Sequence, residues 1–380
     1  MVQVREQSYL DESGVVDLDR WLAQLPIAFS TEESERLSQA ACVARDAQTL
    51  PGIDGGDWAI QANCFLAGLE TAQILADLHV GADCLVAAIL YRAVREQRLQ
   101  LDTLIAQFGE EVGSLIGGVL RMAAISGLHG QSEAPVLGQA HGQKDNIRKM
   151  LIALVDDVRV ALIKLAERTS AIRAVKDDEL RRVVVAQEVF DVYAPLAHRL
   201  GIGQLKWELE DLSFRYIYPD AYRKIARLLD GKRLERDRFI ARVREELNQV
   251  LDAEGVDVEI SGRAKHIYSI WRKMQRKGIG FSQVYDIRAI RILVPELRDC
   301  YATLGMVHGL WRNIPNEFDD YIANPKENGY RSLHTAVVGP EGKVLEIQIR
   351  TQQMHEEAEL GVCAHWRYKG SDEDSGAMAS

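Results

Sequence analysis

The first part of the chain carries apolar side chains at helical spacing. In the segment 150–168 the apolar positions include Leu151, Leu154, Val158, Leu162 and Leu165. An interval of three or four residues aligns such side chains on one face of an α-helix, so this segment predicts a helix with a buried stripe. Segments 69–78 and 85–94 show the same pattern.

Helical patterning continues beyond residue 180. It runs through 188–205 and 206–216, and a long charged helix follows over 220–253, with a break predicted near Gly231. Only the segment 126–142 interrupts this region clearly. Its Gly, Ser, Pro and His residues predict a loop.

After Gly255 the hydrophobic period shortens from that of a helix to that of a strand. Short β-branched segments bounded by Gly, Pro or Asp predict strands over 256–260, 287–294, 334–338 and 344–350. Helical segments over 267–276 and 297–311 separate them. The pattern therefore predicts an all-helical part followed by an α/β part. The polar residues after Lys369 predict a disordered tail.

Length and composition are those of a soluble globular protein with more than one domain. The chain has 380 residues, of which 47% are hydrophobic and 27% charged. No apolar run reaches the roughly 20 residues that a membrane span needs, and the N-terminus lacks the layout of a signal peptide. The five cysteines are scattered without a Cys-x-x-Cys pair. We therefore expect a cytoplasmic protein with neither a zinc site nor disulfides, and no membrane partner.

Charge is distributed unevenly along this acidic chain. The net charge of −10 argues against non-specific binding of nucleic acid. Cations nevertheless concentrate between Lys265 and Lys277. A basic patch of this kind suits a small polyanion, and a solvated helix face is the alternative that charge alone leaves open.

The predicted strand 344–350 has one apolar face and one polar face. Its odd-numbered positions from Leu345 are apolar, whereas Glu346, Gln348 and Arg350 share the other face. This polar face is typical either of a site or of a wet edge strand. If the strand 287–294 is its neighbour, Asp286 and Glu346 are placed to hold one divalent cation together.

Two further segments carry residues suited to polyphosphate chemistry. The stretch 317–335 combines carboxylates with a Lys, an Asn, a Tyr and a His, which suit metal ions, phosphates and a stacked base. In Gly262-Arg-Ala-Lys265 the glycine permits close backbone approach, and the two cations suit phosphate oxygens. A plain turn with two surface cations is the alternative for this short motif.

In their order and wording these motifs resemble the synthetase domain of the RelA/SpoT family. The resemblance covers residues 188–369 and includes the motifs Gly262-Arg-Ala-Lys-His-Ile-Tyr-Ser-Ile270, Tyr285-Asp-Ile-Arg-Ala-Ile-Arg291, Glu317-Phe-Asp-Asp-Tyr-Ile-Ala-Asn-Pro-Lys326, Gly329-Tyr-Arg-Ser-Leu-His-Thr335 and Leu345-Glu-Ile-Gln-Ile-Arg-Thr351. The resemblance implies a nucleotidyltransferase-like mixed β-sheet with flanking helices. It also implies attack of the 3′-hydroxyl of GTP or GDP on the β-phosphorus of ATP, giving pppGpp or ppGpp and AMP.

The resemblance assigns roles to residues of this chain by motif. For ATP they are Arg263, Lys265, Ser269, Lys273 and Arg291. For the guanine nucleotide they are Lys326, Asn328, Tyr330, His334 and Gln348, with Tyr330 stacking on the base. Asp286 is implied as a Mg²⁺ ligand, and Glu346 as the group that activates the 3′-hydroxyl or shares the metal.

The stretch 317–335 also places the chain within a branch of that family. Bifunctional members resemble Arg-x-Lys-Asp where this chain has Glu317, Asp319 and Asp320 in Glu-x-Asp-Asp order. The acidic form is that of synthetase-only members. Two carboxylates in place of two cations increase the demand for metal, so we expect strong Mg²⁺ dependence.

The helical part resembles the family's HD hydrolase domain without its metal ligands. Tyr91-Arg-Ala-Val-Arg-Glu96 stands where the family has His-Asp-x-x-Glu-Asp, Ala67-Gly68 replaces His-Pro, and Leu165-Ala-Glu-Arg-Thr-Ser-Ala171 has lost the later His and Asp. Arginine cannot coordinate a cation. The resemblance therefore implies an inactive HD-type domain without Mn²⁺ and without hydrolase activity.

The resemblance divides the chain into a helical pseudo-hydrolase domain (1–185), connecting helices (186–215), a synthetase domain (216–370) and a tail (371–380). Two functions are compared: an active Mg²⁺-dependent synthetase of (p)ppGpp, which the intact motifs favour, and a nucleotide-sensing module with both sites inactive. The expected small-molecule partners are ATP and GTP or GDP. The ribosome and uncharged tRNA are expected only through C-terminal domains that this sequence does not include.

Overall fold

The computed structural model describes residues 16–53, 63–127, 157–263, 265–281, 284 and 288–364. Two compact units are distinguished by their internal contacts: Val2–Ala197 with Cys363–Ser380, and His198–Val362. The predicted loop 126–142 lies almost wholly outside the described residues, as do the first seven residues of the helix predicted over 150–168 and the whole predicted tail.

The described part of the first unit is helical. Its α-helices are α1 (Leu18–Ala23), α2 (Thr31–Ala47), α3 (Cys64–Asp77), α4 (Ala82–Arg95), α5 (Leu101–Phe108), α6 (Glu110–Gly127), α7 (Val158–Ala174) and α8 (Glu179–Glu188), followed by a π-helical turn, Val189–Tyr193, and by α9 (Ala194–Arg199). Gly68 allows α3 and α4 to approach closely, because a Cβ atom there would lie 2.4 Å from the carbonyl oxygen of Ile89. The helical prediction for this unit is confirmed.

The second unit combines helices with one sheet. Its helices are α10 (Gly203–Ile217), α11 (Pro219–Asp230), α12 (Arg233–Ala253), α13 (Ile267–Lys277), α14 (Leu297–Leu310) and α15 (Gln352–Leu360). Its strands are β1 (Glu259–Gly262), β2 (Ala289–Val294), β3 (Arg312–Asp320), β4 (Leu333–Val338) and β5 (Val344–Thr351). The break predicted near Gly231 is confirmed, because α11 ends at Asp230 and α12 begins at Arg233.

The five strands form a mixed sheet in the order β1-β2-β5-β4-β3. Strands β2 and β5 are parallel, and every other pair is antiparallel. Strand β5 is therefore central, which rules out the wet edge strand as an explanation of its polar face. The predicted α/β architecture, helical first and then a mixed sheet with flanking helices, is confirmed.

Strand β3 was not predicted. It is an edge strand whose residues are mostly exposed, and its pairing with β4 shifts between Asn313 and Phe318. Asn316 within this shift has φ +63°. An exposed, bulged strand shows no alternation of apolar and polar residues, so the pattern that identifies strands is missing.

One face of the sheet forms the core of the unit. Helix α12 covers it with a stripe at four-residue spacing, Phe239, Val243, Leu247 and Leu251, and α14 adds Cys300 and Val307. These side chains pack against the buried odd-numbered residues of β5. Because successive strand residues point to opposite faces, the same burial directs Glu346, Gln348 and Arg350 to the other face.

Candidate active site

The polar face of the sheet is the floor of a cleft of about 620 Å³. Eleven of the twelve residues to which the resemblance gives a role with substrates, metal or catalysis line it: Arg263, Lys265, Ser269, Lys273, Arg291, Lys326, Asn328, Tyr330, His334, Glu346 and Gln348. They come from positions as far apart as 263 and 348. A volume of this size is within the range of small-molecule sites.

Glu346 is the central carboxylate of the floor. Its Oε1 lies 3.4 Å from Nη1 of Arg263 and its Oε2 lies 3.3 Å from Nζ of Lys265. The amide of Gln348 donates a hydrogen bond of 2.9 Å to Oε1. The carboxylate side chain is 19% exposed, so it faces the cleft while two cations and one amide hold it in place.

The neighbouring-strand hypothesis is confirmed at the level of the backbone. Ala289 of β2 pairs with Glu346 of β5 in parallel register, and the N–H of Glu346 donates to the carbonyl of Arg288 at 3.0 Å. Asp286 itself lies outside the described residues, so its part in a shared metal site stays a prediction.

Helix α13 presents its cationic face to the cleft. Ser269, Arg272, Lys273, Arg276 and Lys277 line it. The opposite face buries Ile267, Tyr268 and Ile270. The basic patch is therefore a wall of the cleft and not merely a solvated surface.

Asp211 anchors the N-terminus of α13 and was missed in the sequence. It is 1% exposed on α10, and its carboxylate accepts the N–H groups of Ile267 at 3.3 Å and Tyr268 at 2.9 Å. A carboxylate at this end of a helix satisfies donors that lack a partner within the helix and complements the helix dipole. No motif signals this residue, because its effect on the site passes entirely through α13.

Aromatic and basic side chains form the opposite wall of the cleft. The hydroxyl of Tyr330 lies 2.8 Å from Nε2 of His334. Nζ of Lys326 lies 4.2 Å from the ring centroid of Tyr321 and 5.2 Å from that of Tyr330. Burial lowers the pKa of His334 to about 3, and nearby cations add to this effect. The imidazole is therefore neutral at physiological pH, and its Nε2 can accept a hydrogen bond from the Tyr330 hydroxyl.

Asn328 orders the loop that carries Tyr330. Its side-chain oxygen accepts the N–H of Tyr330 at 3.3 Å, and its amide nitrogen donates to the carbonyl of His198 at 3.3 Å. Asn328 thus lines the cleft and also fixes the backbone beside the aromatic ring.

The acidic motif divides between two faces of β3. Glu317 and Asp319 line the cleft, and Glu317 lies 3.3 Å from Nζ of Lys277. Asp320 is not among the lining residues. Its carboxylate instead accepts the N–H groups of Ile322 and Ala323 and the hydroxyl of Tyr301. Alternation along the strand explains this, because Asp319 and Asp320 cannot share a face.

Arg350, His355 and Glu359 were not assigned to the site from the sequence. Arg350 is 1% exposed and lines the cleft. Nδ1 of His355 lies 2.7 Å from its Nη2. The alternation of β5 signals Arg350, and the two α15 residues fall within the stretch 354–359 that the family resemblance includes without a role for either.

The helical unit buries an ion-pair network where the HD ligands were expected to be lost. Glu167 pairs with Lys164 at 2.6 Å, Arg168 at 3.0 Å and Arg95 at 3.3 Å. Burial raises the pKa of Glu167, but these cations outweigh burial and hold the pKa well below its usual value. At neutral pH the carboxylate is therefore ionised among the cations.

The same unit contains a second cluster of ion pairs. Arg92, at a position that the family gives to a ligand, donates to Glu96 at 2.7 Å, and Arg98 binds the other oxygen of Glu96 at 2.7 Å.

Within the described ranges, no group of three or more His, Cys, Asp or Glu side chains is arranged to hold a metal ion. Among the helices that the structure describes, none is long and apolar enough to cross a membrane.

Comparison with known proteins identifies both parts of the chain. Residues 262–373 match the family model described as "Region found in RelA / SpoT proteins", and residues 44–203 match the model of the HD domain. The chain is 47% identical, over its whole length, to a GTP pyrophosphokinase of Escherichia coli K12, of which it covers 50%. A GTP pyrophosphokinase of Photobacterium angustum is 51% identical over 82% of the chain and 42% of that protein.

Among solved structures, small alarmone synthetase 1 of Bacillus subtilis aligns with 39% of this chain and 81% of its own, at 27% identity and a TM-score of 0.30. The chain spans about half the length of the curated relatives it matches. The RelA/SpoT family model and the curated relatives agree on one assignment: the chain belongs to the RelA/SpoT family.

Proposed function

We propose that this chain synthesises (p)ppGpp by transferring the β,γ-pyrophosphoryl group of ATP to the 3′-hydroxyl of GTP or GDP, with release of AMP. The observation that carries the proposal is the position of Glu346. This carboxylate lies on the central strand, between the cations of one wall and the aromatic residues of the other. The relatives that match 82% and 100% of this chain are named GTP pyrophosphokinases, which agrees with this assignment.

Glu346 acts on the nucleophile in this proposal. A ribose hydroxyl is a weak nucleophile, and a carboxylate that receives its proton makes it a stronger one. The 3′-oxygen then bonds to the β-phosphorus while the bond from that phosphorus to the oxygen of the α-phosphate breaks. AMP leaves with the electron pair, and the proton moves to the carboxylate.

The cationic wall binds the triphosphate of ATP. Arg263 and Lys265 already contact Glu346 at 3.4 and 3.3 Å, so phosphate oxygens beside that carboxylate lie within their reach. Lys273 on α13 extends the same wall. Fixed cations stabilise the negative charge that develops as AMP departs.

The aromatic wall binds the guanine nucleotide. Tyr330 is held by His334 and by the loop around Asn328, which reduces the freedom its ring would lose on stacking with a base. Lys326 lies close enough to two rings to place a charge beside the bound nucleotide.

The donor set fits magnesium. This ion is usually held by one or two carboxylates, with waters and phosphate oxygens completing its shell, so a cluster of three protein ligands is not required. Glu346 offers carboxylate oxygens on the floor, and Glu317 and Asp319 offer them at the cleft wall. When bound, Mg²⁺ would neutralise phosphate charge in the reaction.

The synthetase proposal predicts product formation in a simple assay. The protein is incubated with ATP and either GTP or GDP in Mg²⁺, and nucleotides are separated by chromatography. We expect AMP and pppGpp or ppGpp in equal amounts, and none when a chelator removes Mg²⁺. Tight nucleotide binding with no product at any Mg²⁺ concentration would favour the nucleotide-sensing alternative and overturn the proposal.

We further propose that the helical unit does not hydrolyse (p)ppGpp. The positions of the family's ligands hold Arg92 and Arg95, and their charges are engaged with Glu96 and Glu167. Guanidinium groups repel a metal ion that carboxylates would attract. This proposal agrees with the acidic form of the 317–320 motif.

The second assay tests the hydrolase proposal on the same preparation. Purified ppGpp is added with Mn²⁺, and release of GDP and pyrophosphate is followed. The expected rate equals that of buffer alone, while circular dichroism of the same preparation shows that the helical unit is folded. Release of pyrophosphate that requires both protein and Mn²⁺ would contradict the absence of a hydrolase.

A further inference from the structure

Two arginines at the floor of the cleft have fewer hydrogen-bond acceptors nearby than their guanidinium groups have donors. Arg291 of β2 and Arg350 of β5 both lie within 3.6 Å of Oε1 of Glu359 on α15. Their side chains are 18% and 1% exposed. In the part of the chain that the structure describes, the Nε atom of each is buried without a hydrogen-bond partner. Two cations thus face one carboxylate, and two buried donors are unsatisfied.

His355 satisfies one of the two arginines but not both. Its Nδ1 lies 2.7 Å from Nη2 of Arg350, and its Nε2 lies 3.5 Å from Nη1 of Arg291. Burial and the two guanidinium groups lower the pKa of this imidazole to about 4, so it is neutral. A neutral imidazole has one acceptor nitrogen. The short contact assigns that acceptor to Arg350, which leaves Arg291 with Glu359.

The surplus positive charge lies beside the site that nucleotides are proposed to occupy. The Cζ atom of Arg350 is 5.8 Å from the ring centroid of Tyr330, and Arg350 shares its face of β5 with Glu346. Burial lowers the pKa of Arg350 to about 10, so the guanidinium is still charged at neutral pH. A buried cation without full neutralisation is costly, unless an anion binds to it when the site is in use.

We propose that Arg350 binds a phosphate group of one of the two nucleotides at the floor of the cleft, and that His355 is the positioning residue that directs Arg350 toward it. The ligand chemistry is that of a nucleotide phosphate, for which a planar guanidinium provides paired donors. This inference rests on the proposed function and adds a phosphate-binding residue to the cleft.

Direct binding measurements test the role of Arg350 independently of turnover. GDP and a non-hydrolysable ATP analogue are titrated separately into wild type, Arg350→Gln and Arg350→Lys. Arg350→Gln is expected to weaken the binding of one of the two nucleotides by about 10- to 100-fold, which is the usual effect of losing a charged hydrogen bond. The nucleotide that is affected identifies the phosphate. Arg350→Lys keeps the buried charge, so it serves as the variant that is less prone to misfold. It is expected to weaken the binding of the same nucleotide by a smaller factor.

His355 is tested by two variants, one that keeps an acceptor for Arg350 and one that has none. In His355→Asn the side-chain oxygen takes the place of Nδ1 and accepts from Arg350, whereas His355→Phe has no acceptor. We expect His355→Phe to raise the KM of the nucleotide identified by Arg350→Gln by about 5- to 20-fold, and His355→Asn to stay within threefold of wild type. A merely structural role would lower the melting temperature of both variants without selecting one nucleotide.

Arg242→Gln is the control. Arg242 also pairs with a carboxylate, Glu246 at 3.0 Å, but both residues lie on α12 and neither lines the cleft. It is expected to bind both nucleotides within threefold of wild type. The proposal is overturned if Arg350→Gln binds both nucleotides within twofold of wild type, or if His355→Asn is impaired as much as His355→Phe. If wild type forms no product but the variants show these binding effects, the synthetase proposal is wrong and the phosphate-binding role of Arg350 still holds.

Discussion

Glu346→Gln is expected to reduce the rate of (p)ppGpp formation by about 10²- to 10⁴-fold, the usual contribution of a general base. The amide keeps the size of the side chain, so the packing of β5 is unchanged. It cannot take a proton from the 3′-hydroxyl at neutral pH. The measurement is kcat with saturating ATP and GDP, because the loss is expected in kcat and not in KM.

Without Mg²⁺, the same variant is expected to bind the non-hydrolysable ATP analogue at least as tightly as wild type does. In wild type the carboxylate competes with phosphates for Arg263 and Lys265 and repels them. Removing its charge removes both effects. Weaker analogue binding together with unchanged kcat would show that Glu346 serves binding and not proton transfer.

Glu235→Gln is the control for this experiment. Its carboxylate also contacts one lysine and one arginine, Lys343 at 2.9 Å and Arg288 at 3.5 Å, but it is not part of the cleft. The two carboxylates therefore have similar partners and differ in location. We expect Glu235→Gln to retain kcat within twofold.

The strands that could be predicted from the sequence are those with two distinct faces. Strands β4 and β5 lie within one residue of their predicted limits, because one face of each is buried and largely apolar. Strand β1 begins three residues later than predicted, since 256–258 share its β-branched pattern without pairing to β2. The edge strand β3 has no buried face and gave no pattern to detect.

The site was predictable where the chemistry is carried by the residue itself. Glu346 and Tyr330 show their roles through residue type and motif. Asp211 and His355 act by holding other residues in place, so only the folded chain shows what they contact. Asp320 shows the converse, because its motif suggests a site residue while strand alternation directs its carboxylate to the N–H groups of Ile322 and Ala323, outside the cleft lining.

Glu167→Gln is expected to lower the free energy of unfolding of the helical unit by about 3–5 kcal/mol, the usual result when a buried ion pair loses one partner. Lys164 and Arg168 are each 1% exposed, and both contact this carboxylate. With a neutral amide in its place, their charges would remain buried beside a weaker acceptor. Denaturant unfolding of the full chain, followed by circular dichroism, measures the change.

Two further variants separate the charge from the packing. Glu188 also pairs with Arg168, at 2.9 Å, but is 33% exposed. Glu188→Gln is therefore expected to cost less than about 1 kcal/mol. In the Lys164→Met/Glu167→Gln double variant one buried cation disappears together with the anion, and we expect recovery of about 1–2 kcal/mol. No recovery would mean that the loss comes from packing and not from unpaired charge.

The pH dependence gives an independent check on Glu167. Its pKa is raised by burial but lowered more by the surrounding cations, so the folded value lies well below the unfolded value of about 4.3. As pH falls, the unfolded chain takes up this proton first, and the stabilisation is lost progressively until the folded carboxylate is protonated. The stability difference between wild type and Glu167→Gln is therefore expected to be constant near neutral pH and to shrink below about pH 4. A difference that stays constant down to pH 2 would show that the charge of Glu167 does not stabilise the helical unit.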